Sequence, residues 1–196
     1  MSLLRPTSFE AEQYRALRHV IEQLHKSDRL SIIAVSSPAF ADGKSTTAIN
    51  LAGALAQASE ATVLLIDGDL RHSAATDYLG LDELDGPGLV DGILNASLAL
   101  DDMVRDLAVF NLSFLPAGRC PSAPYEVLKS PRLGELLEEA RRRYDYIVLD
   151  TAPLLNVPDC RIIAKWVDGF LVVVDAHGTP RRLVQEALDV LDPTKI

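Results

Sequence analysis

Short apolar segments recur along the chain, and each of them ends in glycine or polar residues. They span residues 30–37, 62–69, 112–118, 144–151 and 169–176. Segments rich in Val, Ile and Leu that lack a polar face are typical of parallel strands covered by helices on both sides. The pattern therefore predicts five strands of a mainly parallel sheet.

Stretches with helical spacing separate these strands. They lie at 7–26, 44–58, about 75–95, 124–143, 158–167 and 180–191. In the first stretch, Thr7 and Glu10 form a capping box, and Leu17 and Ile21 recur at helical spacing. The alternation predicts a doubly wound α/β fold with helices on both faces of the sheet. At 196 residues we expect residues 1–196 to form a single domain.

Three polar motifs directly follow predicted strands. They read SSPAFADGKS (36–45), DGDLR (67–71) and DTAP (150–153). In open α/β sheets, ligands bind at the carboxyl ends of the strands. We therefore predict that the three motifs converge on one site.

The first motif ends like a phosphate-binding loop, in which backbone N–H groups and a helix dipole point at an anion. In this pattern Lys44 reaches the β- and γ-phosphates and Ser45 ligates Mg²⁺. Pro38 stands where the usual loop has glycine, and Ala41 is expected to crowd a conformation that glycine allows. Asp42 is expected to place a negative charge beside the phosphates, or else to point its side chain to solvent. The alternative is an ordinary strand–helix turn with a capping serine. The candidate ATP-binding residues are Ala41, Asp42, Gly43, Lys44, Ser45 and Thr46.

The other two motifs supply carboxylates. Asp67 and Asp69 follow a buried strand, and Asp150 follows another. Such carboxylates are costly unless a cation meets them, and Mg²⁺ together with a substrate hydroxyl suits them. The alternative is a solvated loop with an Asp67–Arg71 ion pair. The candidate catalytic residues are Lys44, Asp67, Asp69 and Asp150, and the candidate metal-binding residues are Ser45, Asp67 and Asp150.

Composition excludes some classes of partner and indicates the cellular compartment. The net charge of −9 argues against a nucleic-acid partner. Cys120 and Cys160 are far apart and form neither a zinc pattern nor a disulfide framework. The chain contains no apolar run long enough to span a bilayer and no signal-peptide segment at its start. We therefore expect a cytoplasmic domain.

Together the motifs resemble those of the bacterial tyrosine kinases (BY-kinases) of capsule and exopolysaccharide synthesis. These are P-loop proteins unrelated in fold to eukaryotic protein kinases. SSPAFADGKSTTAINLAGALAQ resembles their Walker A region, VLLIDGDLR their Walker A′ motif and IVLDTAPLLNVPDC their Walker B region. LPAGRCPSAPYEVLKSPRL (115–133) resembles a further family segment, and EQYRALR (12–18) carries the family's E-x-x-R-x-x-R pattern.

The resemblance implies a tyrosine autokinase that transfers the γ-phosphoryl group of MgATP to tyrosines of a neighbouring subunit. By this resemblance, Lys44 and Ser45 bind the phosphates and Mg²⁺. Asp67 is the base or orients the hydroxyl, Asp69 assists at the metal, and Asp150 is the Mg²⁺ partner.

The resemblance also implies partners. In the family the E-x-x-R-x-x-R helix mediates ring-like self-association, so residues 7–26 are interpreted as an assembly helix. Glu12, Arg15 and Arg18 are expected to lie opposite its apolar stripe and to face a neighbouring subunit. Without the resemblance, the alternative is an ordinary solvated face stabilised by Glu12–Arg15 pairing. A membrane chain-length or polymerisation protein, fused or separate, is the implied activator, which places the domain at the inner face of the plasma membrane.

The chain departs from the family at several positions. Phe40-Ala41 replaces the common Pro-Gly, and Ala152 replaces a common proline. None of the five tyrosines forms a C-terminal cluster, and the sequence stops at DPTKI, where a further strand is expected. We interpret the chain as truncated at its C-terminus.

Two alternative functions stay open. One is a septum-positioning or partition ATPase, although Ala39 stands where those proteins carry a second lysine. The other is a non-catalytic regulator that signals through assembly of the N-terminal helix. ATP affinity separates the regulator from the other two functions, and phosphotyrosine formation separates the kinase from the ATPase.

Overall fold

The computed structural model describes residues 8–81 and 86–196. Within these ranges the chain forms one sheet of six strands, in the order β3-β4-β2-β5-β1-β6. Neighbouring strands pair in parallel except β3, which is antiparallel to β4. The strands are β1 (Ile32–Ser36), β2 (Val63–Asp67), β3 (Arg105–Leu107), β4 (Leu112–Leu115), β5 (Tyr146–Asp150) and β6 (Gly169–Val172).

The predicted mainly parallel, doubly wound sheet is confirmed, and each of the five expected strands is present with shorter bounds. The edge strand β3 was not predicted. It is only three residues long, reads RDL, and is half-exposed. A short edge strand carries no apolar run, so the pattern that reveals buried strands does not reveal it.

Nine α-helices occur in the described residues. They are α1 (Phe9–Asp28), α2 (Lys44–Ala56), α3 (Ala75–Leu79), α4 (Leu89–Leu94), α5 (Leu100–Met103), α6 (Pro124–Leu128), α7 (Pro131–Arg141), α8 (Asp159–Ile163) and α9 (Arg181–Leu188). The last two are shorter than the predicted helices at 158–167 and 180–191, and α5 was not predicted.

Two predicted long helices are broken, so these predictions were wrong. The stretch about 75–95 divides into α3 and α4, because Gly80 adopts a left-handed conformation (φ 70°) that ends α3; residues 82–85 lie outside the described ranges. The stretch 124–143 divides into α6 and α7. Ser130 caps α7, and Pro131 occupies its first turn, where a missing N–H costs nothing.

The N-terminal helix begins one residue later than the predicted capping box implies. Ser8 is the N-cap, and its hydroxyl accepts a hydrogen bond from the Ala11 N–H at 3.3 Å. Thr7, the other half of the predicted capping box with Glu10, lies outside the described residues. A hydroxyl side chain therefore caps the helix, as predicted, and it belongs to Ser8.

Apolar layers cover both faces of the sheet. Successive residues of β1 point to opposite sides: Ile33 and Val35 pack with α1 and α2, whereas Ile32 and Ala34 pack with the helices on the other face. Strands β2 and β5 alternate in the same way, which explains why all their residues are buried. Among the described residues, no helix combines the length and the apolar character needed to cross a membrane.

The charged residues of α1 are not arranged as predicted. Ile21 is buried, but Arg18 also lies on the docking side: its guanidinium donates to the Ala54 carbonyl oxygen of α2 at 3.1 Å and to Glu22 at 2.6 Å. Arg15 donates to the side chain of Gln57 at 3.3 Å. The expectation that the charged stripe lies opposite the docking face is therefore wrong, because α1 rests on α2 through its arginines as well as its apolar side chains.

Candidate active site

The three motifs meet at one edge of the sheet. Strand β5 lies between β1 and β2, and Asp150 at its end pairs in register with Asp67 on one side and Val35 on the other. The Gly68 N–H donates to the Asp150 carbonyl oxygen at 2.8 Å. A Cβ at Gly68 would lie 2.8 Å from that oxygen, so glycine permits this close approach. The predicted convergence of the motifs is confirmed.

Lys44 forms the centre of the site. It is the first residue of α2, and Gly43 before it is left-handed, with φ 93°. Its ammonium group lies 2.9 Å from Asp69 Oδ2 and 3.9 Å from Asp150 Oδ1, and it donates to the Ser45 hydroxyl at 3.2 Å. The chain thus brings a cation and the exposed N–H groups of a helix start together with the candidate carboxylates.

Asp67, Asp69 and Asp150 are fully buried. Asp67 Oδ2 accepts hydrogen bonds from the Ser73 hydroxyl at 2.7 Å and from the Ala75 N–H at 3.3 Å. Within the described residues, several of their buried oxygens accept no well-formed hydrogen bond: Asp67 Oδ1, Asp69 Oδ2 and both oxygens of Asp150, of which Asp69 Oδ2 and Asp150 Oδ1 face the Lys44 ammonium group. Buried carboxylate oxygens without partners are costly, so this edge of the sheet is built to receive a cation or a donor.

Burial shifts the acidities of these groups. It raises the pKa of Asp150 to about 7 against the opposing charge of Lys44. It raises the pKa of Asp67 to about 6, opposed by the hydrogen bond from Ser73. Burial works to lower the pKa of Lys44, but the carboxylates of Asp150 and Asp69 outweigh it and raise that pKa. Lys44 is therefore charged at neutral pH, and the carboxyl groups of Asp67 and Asp150 titrate close to neutral pH.

These shifts predict a pH-dependent stability. An unfolded aspartate has a pKa near 3.8, so between about pH 4 and pH 7 the folded protein binds more protons than the unfolded chain. The stabilising contribution of the two groups is complete below pH 4 and is lost as the pH rises through 6 and 7. We expect the free energy of unfolding of the nucleotide-free, magnesium-free protein to be roughly 4 kcal/mol higher at about pH 5 than at about pH 8.

Urea unfolding at the two pH values measures this difference. Asp150→Asn removes one of the titrating groups, so it should raise the stability at the higher pH and reduce the difference. A difference of the same size in this variant would contradict the assignment. Asp77→Asn changes an exposed aspartate of the nearby helix α3 and serves as the control.

The atypical part of the loop adopts a strained conformation. Ala41 has φ 65°, in the left-handed region that favours glycine. The Asp42 carboxylate does not point to solvent as predicted. It accepts from the Ala39 N–H at 3.0 Å and from the Thr179 hydroxyl at 2.8 Å, and this second bond ties the loop to the segment before α9. Asp42 therefore holds the shape of the loop rather than facing an anion.

The conformation of Ala41 gives a simple prediction. Ala41→Gly removes a strain of about 1–2 kcal/mol and adds an unfolded-state entropy cost of about 0.5–1 kcal/mol. We expect a net stabilisation of about 0.5–1 kcal/mol. Thermal unfolding measures it, with Ala61→Gly, an alanine that does not have positive φ, as the matched control. A loss of stability equal to that of the control would contradict the strain.

The DGDLR motif is held in place by Asp159, a residue that the sequence analysis did not select. Arg71 makes a two-pronged ion pair with Asp159 of α8, at 2.8 and 3.1 Å, and Asp159 is almost fully buried. The alternative ion pair between Asp67 and Arg71 is therefore wrong. Asp159 lies in the quoted Walker B region, but nothing in the local sequence distinguishes it from a helix-capping acid.

The remaining predicted residues lie at or near the same edge. Thr46 is exposed in the first turn of α2, directly after Ser45. Within the described ranges, no group of three or more His, Cys, Asp or Glu side chains forms a self-sufficient metal site. The oxygen-rich set around Lys44 still fits Mg²⁺, which keeps several waters and takes few protein ligands in phosphate sites. Glu12, Arg15 and Arg18 belong to α1 and are not part of the site.

Comparison with known proteins agrees with this geometry. Residues 30–179 match the family described as "AAA domain". The chain is 37% identical over 178 residues to the tyrosine-protein kinase ptk of Acinetobacter johnsonii, covering 91% of this chain but only 24% of that protein's length. It is 32% identical over 195 residues to the tyrosine-protein kinase YwqD of Bacillus subtilis, covering 100% of this chain and 81% of YwqD.

A solved structure gives the same result. The BceF tyrosine kinase domain superposes with a TM-score of 0.86 at 32% identity, covering 100% of this chain and 77% of that one. The similarity thus extends over the whole length of the chain. The chain belongs to the bacterial tyrosine kinase family of P-loop proteins.

Proposed function

We propose that residues 1–196 are one kinase domain that transfers the γ-phosphoryl group of MgATP to tyrosine hydroxyls. The observation that carries this proposal is the set of buried carboxylate oxygens without partners around Lys44, at the start of a helix. Buried carboxylate oxygens suit a divalent cation, the helix start and Lys44 suit an anion, and MgATP brings both.

The backbone of the loop residues Ala41–Thr46 binds the phosphates, while the Asp42 side chain holds the shape of the loop. The backbone N–H groups at the start of α2 and the ammonium group of Lys44 neutralise the phosphate charge. Ser45, Asp67 and Asp150 are the residues that would hold Mg²⁺, which neutralises charge on the phosphates when bound. Lys44, now paired with Asp69, exchanges part of this ion pair for the phosphates.

Asp67 acts on the acceptor hydroxyl. In the nucleotide-free, magnesium-free protein, burial raises the pKa of Asp67 to about 6, so this carboxylate is more basic than an ordinary aspartate and suits a proton acceptor. Ser73 and the Ala75 N–H hold one of its oxygens and leave Oδ1 open. Asp69 positions Lys44, and the Arg71–Asp159 ion pair keeps the loop that carries both aspartates in place.

Assembly and location complete the proposal. Neighbouring subunits supply the acceptor tyrosines, and α1, with Glu12, Arg15 and Arg18, contributes to self-association. Because Arg18 already contacts α2, a neighbour would contact the exposed parts of the stripe, Glu12 foremost. A membrane chain-length or polymerisation protein at the inner face of the plasma membrane would bring the domains together during polysaccharide synthesis.

Product analysis tests the proposal against its two alternatives. The chain is incubated with γ-labelled MgATP and a glutamate–tyrosine copolymer, and phosphoamino acids and free phosphate are both quantified. Label in phosphotyrosine is the expected result. Release of free phosphate alone would favour the partition-type ATPase, and the absence of both products together with the absence of ATP binding would favour the assembly regulator.

A further inference from the structure

A recess of about 330 Å³ opens beside the phosphate-binding loop. Its floor is the start of α2, including Lys44 and Ser45, and one side carries three ring-bearing side chains. We call these the aromatic wall: Phe40, His72 and Tyr78. Phe40 and Tyr78 are 46% and 50% exposed, which leaves much of their apolar surface facing the recess and solvent. Large exposed rings that line a concave site are typical of a ligand-binding surface.

The wall is ordered by its own contacts. The rings of Phe40 and His72 meet edge to face, with centroids 5.1 Å apart and planes at 69°. This is a preferred aromatic arrangement, so Phe40 is held in place although it sits on the exposed loop.

The wall is connected to the carboxylates proposed to handle the acceptor. The backbone N–H of His72 donates to Asp69 Oδ1 at 3.1 Å, and the neighbouring Ser73 hydroxyl donates to Asp67 Oδ2 at 2.7 Å. The carboxylates themselves do not line the recess, but the segment that carries His72 is bonded directly to both of them. A ring held against the wall would therefore lie beside the segment that positions Asp67 and Asp69.

We propose that the aromatic wall binds the phenol ring of the acceptor tyrosine. The inference rests on the proposed kinase function and adds the surface that selects the substrate. Stacking or edge contacts with Phe40 and His72 would favour an aromatic acceptor over serine or threonine. They would also position the ring so that its hydroxyl faces Asp67.

The test measures transfer from MgATP to N-acetyl-tyrosine amide, an acceptor reduced to the ring and its backbone. The reference protein carries Tyr78→Phe, which keeps the ring and removes the chain's own nearby hydroxyl. In this background we expect Phe40→Ala to raise the KM for the acceptor about tenfold, with kcat changed less than about twofold. Phe40→Trp should restore the low KM. Val109→Ala, at a far more exposed side chain outside the recess, is the matched control.

A second measurement separates ring binding from base binding. Calorimetry compares MgATP with magnesium tripolyphosphate, which has no base. We expect Phe40→Ala to change both affinities equally. A selective loss of MgATP affinity would show that the wall binds the base and would overturn the inference. Efficient transfer to tyrosine with an unchanged acceptor KM would also overturn it while leaving the kinase function intact. If the unmutated chain transfers nothing to any tyrosine, the kinase function fails and the inference fails with it.

Discussion

Asp67→Asn is expected to lower kcat for transfer to tyrosine by about 10²–10⁴-fold. An amide has nearly the shape of the carboxylate, and its oxygen still accepts the hydrogen bonds from Ser73 and the Ala75 N–H. It is not a base and carries no charge. The fold is therefore retained, while the group that takes the proton from the acceptor is lost.

Three measurements identify the cause of this loss. The Kd for MgATP should stay within roughly tenfold, because Lys44 and the loop still bind the phosphates. The stability of the nucleotide-free variant at high pH should rise, because one fully buried charge is gone. The control Asp77→Asn, at an exposed position of α3, should change neither quantity. A fall in kcat of less than tenfold would place the proton acceptor on another residue.

Lys44→Met is expected to have two large effects. The Kd for MgATP should rise at least about 100-fold, because the ammonium group supplies a preorganised charge to the phosphates. The nucleotide-free protein at about pH 8 should also lose roughly 3 kcal/mol of stability, because removing Lys44 leaves Asp69 and Asp150 buried without their cation. At about pH 5 the stability loss should be smaller, since the carboxyl groups then take up protons.

The double variant Lys44→Met/Asp69→Asn separates these two effects. It should recover part of the stability but none of the nucleotide affinity, because it removes a buried charge without replacing the phosphate-binding cation. Lys26→Met, on the exposed side of α1, is the matched control. If Lys44→Met were as stable as the unmutated chain at high pH, the carboxyl groups would have to be neutral in the folded protein. The stability of Lys44→Met is measured together with its phosphorylation activity. This distinguishes a loss of activity caused by unfolding from a loss of catalysis.

The sequence predicted what is encoded locally. Runs that are apolar on both faces correctly predict β1, β2 and β5. Because ligands bind at the carboxyl ends of parallel strands, the sequence also predicts that Lys44, Asp67 and Asp150 lie close together. The prediction that Ala41 occupies a conformation better suited to glycine is also confirmed, because its φ of 65° lies in the left-handed region, where a side chain is strained.

Long-range contacts were beyond the sequence. The hydrogen bond from Thr179 to Asp42 and the ion pair between Arg71 and Asp159 join residues distant in the chain, and neither has a periodic signal. The side of α1 that carries Arg18 was likewise decided by a carbonyl oxygen of α2, which no pattern within α1 reveals. The helix breaks, in contrast, have local signals in Gly80 and Pro131, which end one helix and start another within stretches of continuous helical periodicity.

The proposed kinase function requires that the loop binds MgATP despite Pro38 and the strained Ala41. Calorimetric titration of the unmutated chain with ATP, with and without Mg²⁺, tests it directly. We predict one site with a dissociation constant in the micromolar range, weakened when Mg²⁺ is withheld because the open oxygens of Asp67 and Asp150 then lack their cation. The absence of binding up to about 1 mM MgATP would contradict the proposed kinase function.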